Sequence, residues 1–182
     1  MNDVLAVLQE CYRDALGRLL RHEAGARVMS QYDVNNTYQY IINREETHLA
    51  WLGAAIRELG GRVDDSGQEP VLNGLARRQA QGERVEGSAA SERAQLKVKD
   101  GVQAVIEADA REAQAFVDRW RPRVDAMPNA RHAKMLGVIL GEVLEQRRFF
   151  EQALAGRTDL LGRRAQQLEP AQGIVLPSRW IE

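Results

Sequence analysis

Cysteine is nearly missing: Cys11 is the only one among 182 residues. That rules out an intramolecular disulfide and a Cys-based zinc or iron–sulfur site, and it suits a reducing compartment. An excess of one charge is missing too. Lys plus Arg number 25 and Asp plus Glu 26, a formal net charge of −1. With no basic surplus to hold a phosphate backbone, nucleic acid is not an expected partner, and no block of like charge marks an interaction tail. No apolar run exceeds a few residues, so no membrane span is expected. The opening MNDVLAVLQECYRDALGRLL carries charge throughout. It lacks the basic start and apolar stretch of a signal peptide, so a cytoplasmic location is the expectation. Absent as well are runs of alternating β-branched residues joined by an Asn-Gly or Asp-Gly turn, so strands are not expected.

What is present is a helical period. Apolar residues recur at three and four, and the length suits one domain that can bury a continuous core. The first helix is predicted over about 2–30, on the stripe Leu5, Leu8, Tyr12, Ala15, Leu16, Leu19 and Ala26, with Gly17 and Gly25 weakening it. The second covers about 34–59, capped by Asp33 or Asn35 and ended by Gly60 and Gly61. Its stripe is Tyr38, Ile41, Ile42, Leu49, Leu52, Ile56 and Leu59. The third covers about 91–121 and stops before Pro122, with Val102, Val105, Ile106, Ala113, Phe116 and Trp120 in its stripe. The fourth covers about 128–155, with Pro128 in its first turn and Leu136, Ile139, Leu140, Val143, Phe149, Phe150 and Leu154 inward. These elements make residues 1–156 one domain. A short helix from Thr158 and a tail with Ile174, Val175, Leu176 and Trp180 follow in 157–182.

Loop lengths bear on topology. Short links after helices one and three predict two antiparallel hairpins. Between them, residues 61–90 are polar and glycine-rich. A helix of ~28 residues is ~42 Å long, and ~13 extended residues cover that distance, so this segment is long enough to cross the bundle. Two hairpins joined by one long crossover is the expected arrangement; an up-down-up-down bundle with a long middle loop is the alternative.

Chemistry concentrates on the second helix. Glu45 and His48 are three apart, neighbours on one face. Stepping 38, 41/42, 45, 48/49, 52, 56 puts both on the core stripe. A buried carboxylate is costly unless paired or bound to a cation. Asp109 and Glu112 fall near the inward series 105, 109, 112, 116, 120 of the third helix. Glu142 and Glu145 stand three apart on the fourth, and VILGEVLEQRRFFEQAL aligns with IINREETHLAWLGAAI in a faint internal repeat that sets Glu145 against His48. His22 and His132, near helix ends, are expected in water, and Cys11 in the core. Trp51 and Trp120 are expected to be packing or interface anchors.

The segment EETHLAWLGAAIRELGG resembles the second helix of the ferritin-like superfamily, nearest the rubrerythrin-type domains. The likeness covers 2–155 as architecture and only helix two as a motif. It implies a dinuclear iron or manganese site engaged in oxidant handling or oxygen-dependent redox chemistry. Its ligands would be Glu45, His48, Glu112 and Glu142, with Asp109 competing for the place of Glu112. Two positions depart from the family. Tyr12 stands roughly where a helix-one glutamate is expected, and Glu145 replaces the second histidine, though it is still a donor for a hard cation. The resemblance and the apolar tail imply a homodimer. A degenerate bundle without metal, used for assembly or interaction, is the alternative function.

Overall fold

The computed structural model describes residues 2–63, 88–157 and 160–161. Four helices account for nearly all of them: α1 (Asn2–Ala26), α2 (Tyr32–Glu58), α3 (Ser88–Asp125) and α4 (Ala130–Leu154). No strand occurs among the described residues, and no helix there is long and apolar enough to cross a membrane. The expected crossover lies outside the described residues except at its ends, as does the expected tail at 162–182; of the expected short helix only 160–161 are described.

The helix ends differ from expectation in instructive ways. Neither Asp33 nor Asn35 caps α2. Gln31 occupies the cap position with no side-chain bond, and Asn35 reaches backwards, its Nδ2 donating to the carbonyls of Ala26 and Met29 at 2.8 and 3.2 Å. It satisfies orphan acceptors at the end of α1, which therefore stops at Ala26 and not near residue 30. Pro122 lies inside α3, where the expectation was a stop before it. The ring removes the bond to the Asp118 carbonyl and crowds that oxygen, but Asp118 is exposed, and the last turn still closes through Ala126 N–H on the Pro122 carbonyl at 3.2 Å. Asn129, and not Pro128, starts α4: its Oδ1 accepts from the Arg131 and His132 amides. At the end of α2, Gly60 takes φ +78°, a left-handed conformation glycine enters without steric cost.

α1 packs most extensively on α2 and α3 on α4; α1 also meets α3, and α2 meets α4. The core has two parts. One gathers Leu8, Leu19, Leu52, Ile56, Phe116, Trp120, Ile139 and Val143. The other gathers Ala26, Met29, Tyr38, Ile41, Ile106 and Phe150. Every helix contributes to both, and each crosses from one to the other at a polar residue: near His22 on α1, Glu45 on α2, Asp109 on α3 and Gln146 on α4.

Gly25 is a packing requirement as much as a weak helix residue. A Cβ built there would sit 2.9 Å from Tyr38 Cε1, and the Tyr38 ring is fully buried. Gly25→Ala gains helix propensity of ~1 kcal/mol yet must displace that ring. Overpacking at such a site costs ~1–3 kcal/mol. The expected outcome, by urea denaturation, is a net loss of stability; a more stable variant would show that the ring can yield.

Candidate functional site

The residues between the two apolar clusters form one layer drawn from all four helices, in three linked groups. In the first, α2 directs Glu45 inward, where it is 3% exposed. His22 Nδ1–H donates to its Oε2 at 2.8 Å, and Arg18 Nη2 stands 3.2 Å from its Oε1. Arg18 also donates to Gln146 Oε1 at 2.6 Å, and its guanidinium lies over the Phe116 ring, 4.8 Å from the centroid. Burial works to raise the Glu45 pKa; His22 and Arg18 outweigh it and hold the carboxyl below its ordinary range.

The second group centres on Asp109, which is fully buried. Arg21 Nε–H donates to one oxygen at 2.6 Å and the Tyr38 hydroxyl to the other at 2.6 Å. Burial, with the Asp109 charge beside it, pushes the Tyr38 phenol well above its ordinary value, so it stays protonated and donates. The third group spans α2 and α4. His48 Nε2–H donates to Glu142 Oε2 at 2.8 Å, and Arg44 grips both Glu142 oxygens. Burial lowers the His48 pKa against the opposing pull of Glu142. Burial works to raise Glu142, and Arg44 and His48 together bring it down.

The charges in the layer balance. Glu45, Asp109 and Glu142 each face an arginine, namely Arg18, Arg21 and Arg44. An uncompensated buried carboxylate would cost several kcal/mol; here the compensation comes from the chain's own cations.

The structure brings together Glu45, His48, Asp109 and Glu142 of the residues the sequence singles out, within one layer. It leaves Glu145 exposed and Glu112 half-buried, and it sets Tyr12 in the larger apolar cluster. Two expectations are corrected. His22 is buried, not in water, because the inward series Ala15, Leu19, Ala26 runs on through it; its ring packs against Tyr38 and Phe150. His132 is likewise buried, continuing the stripe of Leu136 and Ile139, and neither of its ring nitrogens has a partner among the described residues. Sequence reasoning missed the arginines. The available signal was position: Arg18 flanks the α1 stripe beside Ala15 and Leu19, and a buried Glu requires a cation.

A dinuclear centre of the kind the resemblance implies needs carboxylates and imidazoles with free lone pairs converging on one point. In this arrangement the donor set does not fit. The imidazoles point N–H groups at the carboxylates, and arginines face Glu45 and Glu142. Among the described residues no three His, Cys, Asp or Glu side chains stand where they could hold one ion. Comparison of the chain with protein-family models, with curated proteins and with solved structures finds no match in any of the three.

Proposed function

We propose that this chain is a ferritin-like bundle whose interior charges are neutralised by arginine in place of metal, and that it works as an assembly or interaction protein. The observation that carries the reading is Arg18, 5% exposed, with Nη2 3.2 Å from Glu45 Oε1. A guanidinium and a bound cation compete for the same carboxylate, and this one is already deep in the core.

The ferritin-like order of helices is supported by which residues meet. Between α1 and α2, His22 meets Glu45 and Gly25 meets Tyr38. Between α1 and α3, Glu10 meets Arg123, Asp14 meets Arg119 and Arg21 meets Asp109. Between α2 and α4, Tyr40 meets Phe149 and Glu58 meets Arg131. In each pair, rising numbers on one helix meet falling numbers on the other, the sense of an antiparallel pair. α2 packs chiefly on α1 and α4, whereas an up-down-up-down bundle would set it beside α3, with α4 on the diagonal.

The competing reading is a di-iron or di-manganese oxidoreductase. It draws on Glu45, His48 and Glu142 sharing one layer, and it requires Arg18 and Arg44 to swing away. One experiment separates the two. Protein purified without chelator is assayed for metal, then melted with and without added Fe²⁺ or Mn²⁺. The expected result is no retained metal and no shift in melting temperature, since an ion that does not bind the folded state cannot stabilise it. A dinuclear complement of metal, with a higher melting temperature that the double variant Glu45→Gln, His48→Leu abolishes, would establish the oxidoreductase instead.

A further inference from the structure

We infer that the polar layer binds one internal water molecule, held by Arg18 of α1, Glu45 of α2 and Gln146 of α4 and shut off from bulk solvent. This site deepens the metal-free reading and rests on it, since it needs Arg18 in the layer.

Five buried side-chain atoms have no hydrogen-bond partner among the described residues. Two are the ring nitrogens of His132, ~21 Å from Gln146 along α4. The other three are Arg18 Nε, Glu45 Oε1 and Gln146 Nε2, and these share one neighbourhood. Arg18 Nη2 donates to Gln146 Oε1 at 2.6 Å and stands 3.2 Å from Glu45 Oε1. The three residues are 5%, 3% and 2% exposed.

None of the three atoms is satisfied by turning a group over. The Gln146 amide has its orientation fixed, because its oxygen and not its nitrogen must meet the Arg18 donor. Its Nε2 therefore needs an acceptor elsewhere. Arg18 commits Nη2 to its neighbours, and Nε–H lies on another edge of a rigid fork. Glu45 Oε1 is the oxygen left over once His22 Nδ1–H has taken Oε2. The guanidinium faces it at 3.2 Å without a hydrogen bond, beyond the ~2.7–2.9 Å of a bonded charged pair.

The chemistry of these atoms names the ligand. Two are donors and one is an acceptor. A cation would face two N–H groups, and an anion would face the Glu45 carboxylate. A neutral group that both accepts and donates suits all three, and it must be small, because the atoms are cut off from solvent. Water accepts from Arg18 Nε–H and Gln146 Nε2–H and donates to Glu45 Oε1. That is the set of about three bonds a buried water makes. Bound in this way it ties three helices at one point. It also gives the Glu45 carboxylate a donor on each oxygen, which favours the ionised form without a metal.

The test is by NMR on the full chain, recording cross-peaks between water and the Arg18 Nε–H and Gln146 Nε2 protons. A water held longer than the molecule takes to tumble gives peaks of opposite sign in NOE and ROE spectra, whereas proton exchange gives the same sign in both. Opposite signs are expected at both side chains. Oxygen-17 relaxation dispersion then counts long-lived waters. The double variant Arg18→Met, Glu45→Leu, checked for folding by circular dichroism, removes two of the three partners and should lose one such water. A metal-free chain with no water peak at either side chain, or with exchange peaks alone, overturns the proposal and leaves the metal-free reading standing. So does a folded double variant that keeps every long-lived water. If that variant does not fold, the wild-type peaks decide alone. Retained metal overturns both, because Arg18 must then leave its place.

Discussion

Replacing Arg18 by Met is expected to lower the stability of the folded chain by about 3–5 kcal/mol, the usual cost of breaking a buried ion pair from one side. Met fills most of the volume on the Phe116 ring that the guanidinium now covers, so the loss is that of the charge and its hydrogen bonds and not of packing. Glu45 would remain 3% exposed with only His22 to answer it, and Gln146 Oε1 would lose its 2.6 Å donor. Adding Glu45→Leu to Arg18→Met should recover much of the loss, because an apolar pair of similar volume carries no desolvation cost. Urea unfolding of the two single variants and the double variant measures the coupling directly. If Arg18→Met alone is neutral, Glu45 has another cation or is protonated, and the arginine account of the layer fails. The same variant bears on the metal reading, since a Glu45 freed from arginine should gain no stability from Mn²⁺ if the remaining donors are wrongly arranged.

Acid is expected to unfold the protein in two stages. His48 has its pKa depressed from the ordinary 6.5, mainly by burial. The unfolded chain therefore takes up that proton more readily than the folded one. The associated stability is complete above pH 6.5 and is lost as pH falls from there through the folded-state value. Glu45 and Glu142 are depressed below the ordinary 4.5, where burial is outweighed by His22 and Arg18 for the first and by Arg44 and His48 for the second. Their contribution is complete above pH 4.5 and is lost as pH drops through their folded-state values. All three groups push the same way, so the urea midpoint should be level above about pH 7, decline as pH falls below 6.5, and fall more steeply below 4.5. His48→Gln should remove the upper stage and keep the lower. A midpoint that rises between pH 7 and 5 would contradict the assignment of His48 as a buried neutral imidazole.

The helices were legible because burial in this fold is periodic. Leu8, Ile41, Phe116 and Val143, each read from three-and-four spacing, are all at most 1% exposed. Glu45, His48 and Asp109 were legible as inward for the same reason, being polar residues on an apolar stripe. Their chemistry was not legible. A stripe tells which way a side chain points along one helix and nothing about which residue of another helix lies opposite. Glu45 therefore pointed to a cation, which the resemblance made a metal ion, and no stripe could show that Arg18 of α1 stands 3.2 Å from its Oε1. Arginines are rarely interior and seldom lie on the apolar positions that periodicity detects; Arg18, between Ala15 and Leu19, reaches the layer with a long side chain. His22 was misjudged because nearness to a helix end was weighed above the stripe. The helix boundaries moved by a few residues where side chains such as Asn35 and Asn129 did the capping, a choice that depends on three-dimensional reach.

The polar layer also partitions the interior. Leu8 or Ile139 on one side and Phe150 or Ile106 on the other belong to separate apolar clusters, with hydrogen-bonded groups of fixed geometry between them. Close packing transmits strain only through atoms that touch, and such a layer cannot shift to relieve a misfit without breaking its own bonds. Mutational effects in the two compartments should therefore sum as independent quantities, except at Ile42, which packs against both. Each compartment is free to exchange its side chains among themselves over evolutionary time, provided that Arg18, Arg21 and Arg44 keep their carboxylates between the two.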